Sequence, residues 1–337
     1  MLPKLPQGEL MELCRRMLVI RHCEEALIDL YQKKEFRGHY HVYIGQEATG
    51  VPALACVKDG DYLFSTHRNH GHLLARGADP GRLIAEILGR RDGYNKGKGG
   101  TFHSVVPSLG FHHTSAIVAG IIPLATGTAY ASKALKNNRI SVCLFGDGSL
   151  EEGAAVEAFN LASLNKLPVL FLCENNGGRP RGGGAARSSS MAAFPLTDIP
   201  AAYKIPARQV DGTDAGAVHA VISEAIDKIR RGDGPQFIEA LTVRWPGNEA
   251  SWPVAPVKTG IALAWNVESV PEAAREWYRN SDPLLVFARE LVDAKVAPRE
   301  DIVELEQKVL AAIEEAVRFA LASPYPKPEA ALEDVFA

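Results

Sequence analysis

Gly146-Asp147-Gly148 sets a carboxylate between two glycines, and Asn175-Asn176 stands at the end of the next apolar run. As a bare dinucleotide-binding turn the tripeptide is poor, because a carboxylate aimed at a pyrophosphate repels it unless a cation lies between. With Mg²⁺ interposed the residue types agree, since that ion takes a carboxylate, a few amide or carbonyl oxygens and the oxygens of a bound diphosphate. Asp147 supplies the carboxylate, Asn176 the amide oxygen, and a main-chain carbonyl just after Asn176 a third ligand. The glycines let the backbone approach the diphosphate. A second patch, His67-Arg68-Asn69-His70-Gly71-His72, is too dense in ring nitrogen and charge for mere connection.

These residues need elements to hold them. Ile140–Phe145 and Leu167–Cys173 are short apolar runs of the kind found in buried parallel strands. Between them Ser149, with Glu152 three residues on, reads as a capping box opening a helix whose first turn is acidic. The result is a βαβ unit. Its right-handed crossover puts both strand ends, and so Asp147 and Asn176, on the sheet edge where ligands bind. Apolar spacing predicts an entry helix over 9–34 and helices over 45–57 and 79–90, the last opened by Pro80. The segment 117–135 is apolar on nearly all sides and predicts a helix buried against the sheet, while 61–77 reads as a loop. Beyond residue 260, spacing predicts helices over 267–294 and 299–323, with Ile302, Leu305, Val309, Ile313 and Val317 forming one core or interface stripe. Pro324, Pro326 and Pro328 then end the helix. The chain divides into an α/β domain, 1–260, and a C-terminal helical segment and tail, 261–337.

GDG followed by NN resembles the signature of thiamine-diphosphate enzymes. The blocks RGHYHVYIGQEA (37–48), HRNHGHLLARG (67–77), KGKGGTFH (96–103), GDGSLEEG (146–153), EAFNLASLNKLPVLFLCENN (157–176), VDGTD (210–214) and GPQFIEALTVR (234–244) resemble, in order, the alpha subunit of pyruvate, branched-chain 2-oxo acid and acetoin dehydrogenases. The resemblance implies the thiamine-diphosphate-binding fold, a parallel sheet flanked by helices with a C-terminal helical extension. It implies thiamine diphosphate and Mg²⁺ as cofactors, with the metal held by Asp147, Asn176 and the carbonyl of Gly178. Gly146, Gly148 and Ser149 then border the diphosphate, Arg68 binds it by charge-assisted hydrogen bonds, and Ala116 and Val118 meet the aminopyrimidine. His41 faces the substrate, and His67 stands where the family has a tyrosine; His70 and His103 are weaker candidates. His39, Tyr40, Phe64 and Phe111 are plausible lining residues. In this family the glutamate that acts on the aminopyrimidine lies on a beta subunit, so Glu47 and Glu174 are not assigned that role and an α₂β₂ assembly is expected.

Departures from the family bear on the acyl acceptor. Where the family reads Tyr-Arg-x-His-Gly-His-Ser, this chain reads Val243-Arg244-Trp245-Pro246-Gly247-Asn248-Glu249, so both loop histidines are absent. In the family the second of them lies near the diphosphate and the acceptor channel; the resemblance implies the same place for Asn248, which can hydrogen-bond there but cannot transfer a proton. Gly-Ile-Val-Gly of the family becomes Ala116-Ile117-Val118-Ala119, and after Asn176 comes the Arg/Gly-rich stretch 177–190 with Arg179, Arg181 and Arg187. The leading reading is oxidative decarboxylation of a 2-oxo acid with acyl transfer to a lipoylated acyltransferase. The second is a carboligase or decarboxylase with a non-lipoyl acceptor, and the third a non-catalytic partner subunit.

Bulk properties exclude other classes. A chain of 337 residues, 46% hydrophobic and 23% charged, is globular, and a net charge of −3 offers no general attraction to nucleic acid or anionic membrane. No apolar run approaches a membrane span, and the first residues lack the apolar block of a signal peptide, so the expected location is cytoplasmic. Cys14, Cys23, Cys56, Cys143 and Cys173 form no CxxC pair and read as structural.

Overall fold

The computed structural model describes residues 2–177, 191–243 and 260–334. The chain runs α1 (Gln7–Gln32), α2 (Glu47–Ala55), β1 (Tyr62–Ser65), α3 (Asn69–Ala75), α4 (Pro80–Ile87), β2 (Phe111–Thr114), α5 (Ile121–Leu135) and β3 (Ser141–Gly146). It continues α6 (Gly153–Leu164), β4 (Val169–Asn175), α7 (Asp198–Ala202), β5 (Ala207–Asp211), α8 (Ala215–Arg230) and β6 (Gln236–Leu241), then α9 (Glu272–Glu276), α10 (Pro283–Asp293) and α11 (Arg299–Ala322). The strands form one sheet in the order β2-β1-β3-β4-β6-β5, with every pairing parallel.

Both faces of this sheet are covered, which is why its strands read as continuous apolar runs. Side chains alternate between faces with period two. Cys143, Phe145, Phe171 and Cys173 meet α5 and α6 in one cluster. Val142, Leu144, Leu170 and Leu172 join the larger cluster that takes in α1, α2, α8, α10 and α11. On α11, Ile302, Val309 and Ile313 are buried, and Leu305 and Val317 pack partly buried against the same cluster. All five cysteines are free thiols, four of them buried.

Local chemistry sets the helix starts. Asp79 accepts from the Arg82 amide at 2.8 Å ahead of Pro80, and Asp282 accepts from the amides of Leu284 and Leu285 at 3.1 Å each, ahead of Pro283. The helix expected over 267–294 is accordingly broken into α9, a π-turn at Trp277–Ser281 and α10; the residue before a proline resists the helical conformation. The capping box is also overturned. Residues 147–151 form a 3₁₀ turn and α6 begins only at Gly153, because the Ser149 hydroxyl accepts from the Ala119 amide at 3.4 Å instead of capping its own helix. The stretch 61–77, expected as a loop, contains β1 and α3.

A buried histidine clamps α1 to α11. His22 contacts Glu25 at 2.8 Å and Glu306 at 3.0 Å, and Glu306 accepts from the Ile261 amide at 2.6 Å. Burial opposes charge on the ring, but hydrogen bonds to Glu25 and Glu306 outweigh it and push the pKa from 6.5 up to about 9. A folded-state value above the unfolded one stabilises fully below pH 6.5, and that stability is lost as pH rises through about 9. The melting temperature of the native chain is therefore expected to fall towards that of His22→Gln as pH is raised from 6 to 10. A difference between the two that stays constant over this range contradicts the assignment.

Candidate active site

Four adjacent strands deliver the expected residues to one edge. In register, Gly146 of β3 lies opposite Glu174 of β4, so Asp147 and Asn176 leave neighbouring strands, spaced about 4.8 Å apart in a sheet, on the same side. Phe64 of β1 lies opposite Cys143, which sends Thr66-His67-Arg68 out beside Gly146. The exit of β2 carries Ala116–Ala119.

Cross-links join these exits. Ser149 is buried, and its bond to the Ala119 amide ties the 146–149 turn to the 116–119 segment. Ala119 itself is held at φ +60°, a left-handed conformation that costs a β-carbon energy and that the site's packing imposes. Ile117 and Val118 are 70% and 50% exposed at this edge. A β-carbon on Gly177 would lie 3.5 Å from Asn175 Oδ1 and 4.0 Å from Asp147 Oδ2, which places the Asp147 carboxylate beside the turn after β4. Asn175 is committed to structure, accepting from the Gly177 amide at 3.1 Å and donating to Glu239 at 2.8 Å. Gly146 and Gly148 have open space where a β-carbon would be.

Buried Arg68 donates to the Val42 carbonyl. That bond draws the 39–46 loop over α3, and the rings of His41 and His67 meet at 4.4 Å between centroids, with Phe102 6.1 Å from His41. His70 is structural, bonded through Nε2 to the Thr101 hydroxyl at 2.7 Å, with Nδ1 3.4 Å from Glu24. His103 is exposed, 3.3 Å from the Thr114 carbonyl. Phe64 and Phe111, named above as lining, are buried in the two core clusters because they sit within β1 and β2, and Tyr40 is buried with its hydroxyl on Glu24. His39 is exposed. Gly178, Arg179, Arg181, Arg187 and the stretch from Arg244 to Glu249, Asn248 included, lie outside the described residues.

Beneath the edge lies a buried network that the sequence reading did not assemble. Tyr43 donates to Glu174, whose other oxygen meets His72 Nε2 at 3.1 Å, and His72 Nδ1 pairs with Ser65 at 2.7 Å. Burial, then the Glu174 charge, raises the Tyr43 pKa and keeps its hydroxyl protonated as a donor. Gly50 and Gly71 make room for Tyr43, since a β-carbon at either would run into that side chain. The signal in the sequence was slight: Gly71 between His70 and His72, which the structure places inside α3 and not in a turn. The two carboxylates excluded above as acid–base groups are closed in: Glu174 by this network, and Glu47 by Arg21 at 2.8 Å and the Gly45 amide at 2.8 Å.

A family model described as dehydrogenase E1 component matches residues 15–329. The chain is 35% identical over 332 residues to the alpha subunit of acetoin:2,6-dichlorophenolindophenol oxidoreductase of Cupriavidus necator, covering 98% of this chain and 95% of that protein. The Bacillus subtilis protein of the same name is 36% identical over 322 residues, 96% of this chain and 92% of that one. The alpha subunit of the pyruvate dehydrogenase E1 component of Zymomonas mobilis is 36% identical over 335 residues, 97% and 90% of the two chains.

Proposed function

Because the chain belongs to the dehydrogenase E1 component family, we propose that it is the alpha subunit of a thiamine-diphosphate-dependent enzyme that decarboxylates a 2-oxo acid together with a beta subunit. The observation that carries this reading is the delivery of Arg68, Ala116–Val118, Gly146–Ser149 and Asn176 to one sheet edge by four adjacent strands.

That edge fits a magnesium diphosphate. Asp147 faces the turn containing Gly177, and open space at Gly146 and Gly148 lets the backbone approach phosphate oxygens. Asp147, Asn176 and the Gly178 carbonyl would hold Mg²⁺, an ion that needs few protein ligands when a diphosphate supplies the rest. Among the described residues no three His, Cys, Asp or Glu side chains cluster as a metal site. The amides of Gly148 and Ser149 and the Arg68 guanidinium would bind diphosphate oxygens. Ala116 and Val118 would present main-chain atoms to the aminopyrimidine. When bound, the cofactor supplies the electron sink for CO₂ loss. His41 and His67, in ring contact, would face the substrate carboxylate, His⁺ being the form that attracts it. Asn248 would border the acceptor channel.

Two observations support a second chain. The enclosed Glu47 and Glu174 leave the aminopyrimidine proton to a partner's carboxylate. The segment expected as a helix buried against the sheet packs on it with one face, and the other is open: Leu124, Tyr130 and Leu135 of α5 are 45–73% exposed, and Leu161 and Leu164 of the neighbouring α6 are 45% and 78% exposed. Exposed large apolar side chains on two helices packed together are the kind of surface that marks association. No helix of the described residues is long and apolar enough to cross a membrane, in keeping with a proposed cytoplasmic location.

Acyl transfer to a lipoylated acyltransferase is the proposed completion. A non-lipoyl acceptor is the second reading, favoured by Pro246 and Asn248 in place of the loop histidines. CO₂ release from a panel of 2-oxo acids by the alpha–beta enzyme, with and without a lipoylated domain, separates them. Dependence on the domain supports a dehydrogenase component; release without it, rising with added aldehyde, supports a carboligase. Asn248→His is expected to accelerate reductive acylation of the lipoyl domain by roughly the 10²-fold or more that a placed acid–base group contributes. No acceleration in single-turnover acylation would count against the lipoyl reading.

A further inference from the structure

At the opposite edge of the sheet, away from the cofactor residues, lies a cavity of about 690 Å³ between the carboxyl ends of α2, α5, α6 and α8. Six cations line it: Lys58, Lys133, Lys136, Arg139, Lys166 and Arg230. Cations gather at helix carboxyl ends to offset the dipole, and that accounts for part of the charge. It does not account for all of it. Each helix end carries roughly half a negative charge. Of the two carboxylates in the wall, Asp59 is already bound to Arg76 at 2.8 Å, outside the cavity. Asp61 accepts from Arg230 at 2.5 Å and from the amides of Lys58 and Ile140 at 3.1 Å each. A net positive charge of about three therefore faces the space.

Two donors point the same way. The Ser132 hydroxyl, in a residue only 3% exposed, and Arg230 Nε are closed to solvent and have no hydrogen-bond partner, so a ligand oxygen would reach them only with a shift of the surrounding wall. Both residues line this cavity. We propose that it is a second anion site, distinct from the cofactor edge, that takes a small polyphosphate-bearing molecule of nucleotide size; the volume lies within the usual range for small-molecule sites. Ser132 and Arg230 sit at the floor, and the exposed Lys58, Lys136 and Lys166 stand around the rim as mobile phosphate partners. α5 joins the two sites: its carboxyl end forms this wall, and its first turn follows the 116–119 segment, 15 residues or about 22 Å away.

ATP is the probe, titrated calorimetrically into the alpha–beta enzyme saturated with thiamine diphosphate and Mg²⁺ so that the cofactor edge is filled. One ATP per alpha chain is expected, competed by inorganic tripolyphosphate. Lys58→Glu/Lys136→Glu should weaken it at least roughly tenfold, as loss of two charged phosphate contacts does, and leave CO₂ release unchanged. Ser132→Ala, a smaller change, should weaken it less. No saturable binding, or binding equal in the native and double-variant enzymes, overturns the proposal.

Discussion

Asp147→Ala is expected to abolish magnesium-dependent binding of thiamine diphosphate. The carboxylate leaves β3 beside the turn that follows β4 and is half-buried, so it is the charged ligand through which Mg²⁺ would join protein and diphosphate. Without it the metal would lose the one anionic protein ligand proposed for it, and the diphosphate would keep only Arg68 and the amides of Gly148 and Ser149. Loss of one partner from a desolvated charge contact costs about 2–5 kcal/mol, or roughly 30- to 4,000-fold in affinity. Calorimetric titration with and without Mg²⁺ measures it, and affinity within twofold of the native enzyme would sink the metal assignment.

Arg21→Ala should have the largest effect on stability. Arg21 is fully buried, bonded to Glu47 at 2.8 Å and to both oxygens of Asp282 at 2.9 and 3.0 Å. It thereby joins α1, α2 and the cap of α10. Burial opposes its charge, but Asp282 and Glu47 hold the guanidinium protonated with a pKa well above the usual value. Truncation leaves two carboxylates buried together without a cation, at a cost of about 3–5 kcal/mol. In a chain of this size that lowers the melting temperature by roughly 4–7 °C. A fall of less than about 2 °C on a thermal scan would mean that the carboxylates find water or protons at little cost.

The parallel core was legible because its strands are covered on both faces and so carry unbroken apolar runs: Ile140–Phe145 and Leu167–Cys173 gave β3 and β4, and with them the edge that carries Asp147 and Asn176. The α11 stripe was legible for the same reason, one apolar face at helical spacing. β1 was missed because it is only four residues long, and α3 because its first turn is polar, with partners that lie far along the chain. His72 is explained only by Glu174, and Arg68 by Val42. Ser149 misled for a related reason. Its neighbours favour a local cap, yet a backbone amide 30 residues away takes its hydroxyl. Tyr43 carried no local signal at all; only the glycines that admit its ring, Gly50 and Gly71, left a trace. The sheet edge and the glycine turn at the exit of β3 were thus readable in the sequence, and the buried hydrogen bonds that hold them were not.

The most direct test of the account is CO₂ release from 2-oxo acids, with thiamine diphosphate and Mg²⁺ present, by this chain alone, by its beta partner alone and by the two together. The account predicts release only from the pair, lost again in the Asp147→Ala pair. Turnover by this chain alone, or none from the reconstituted pair with any 2-oxo acid, would contradict it.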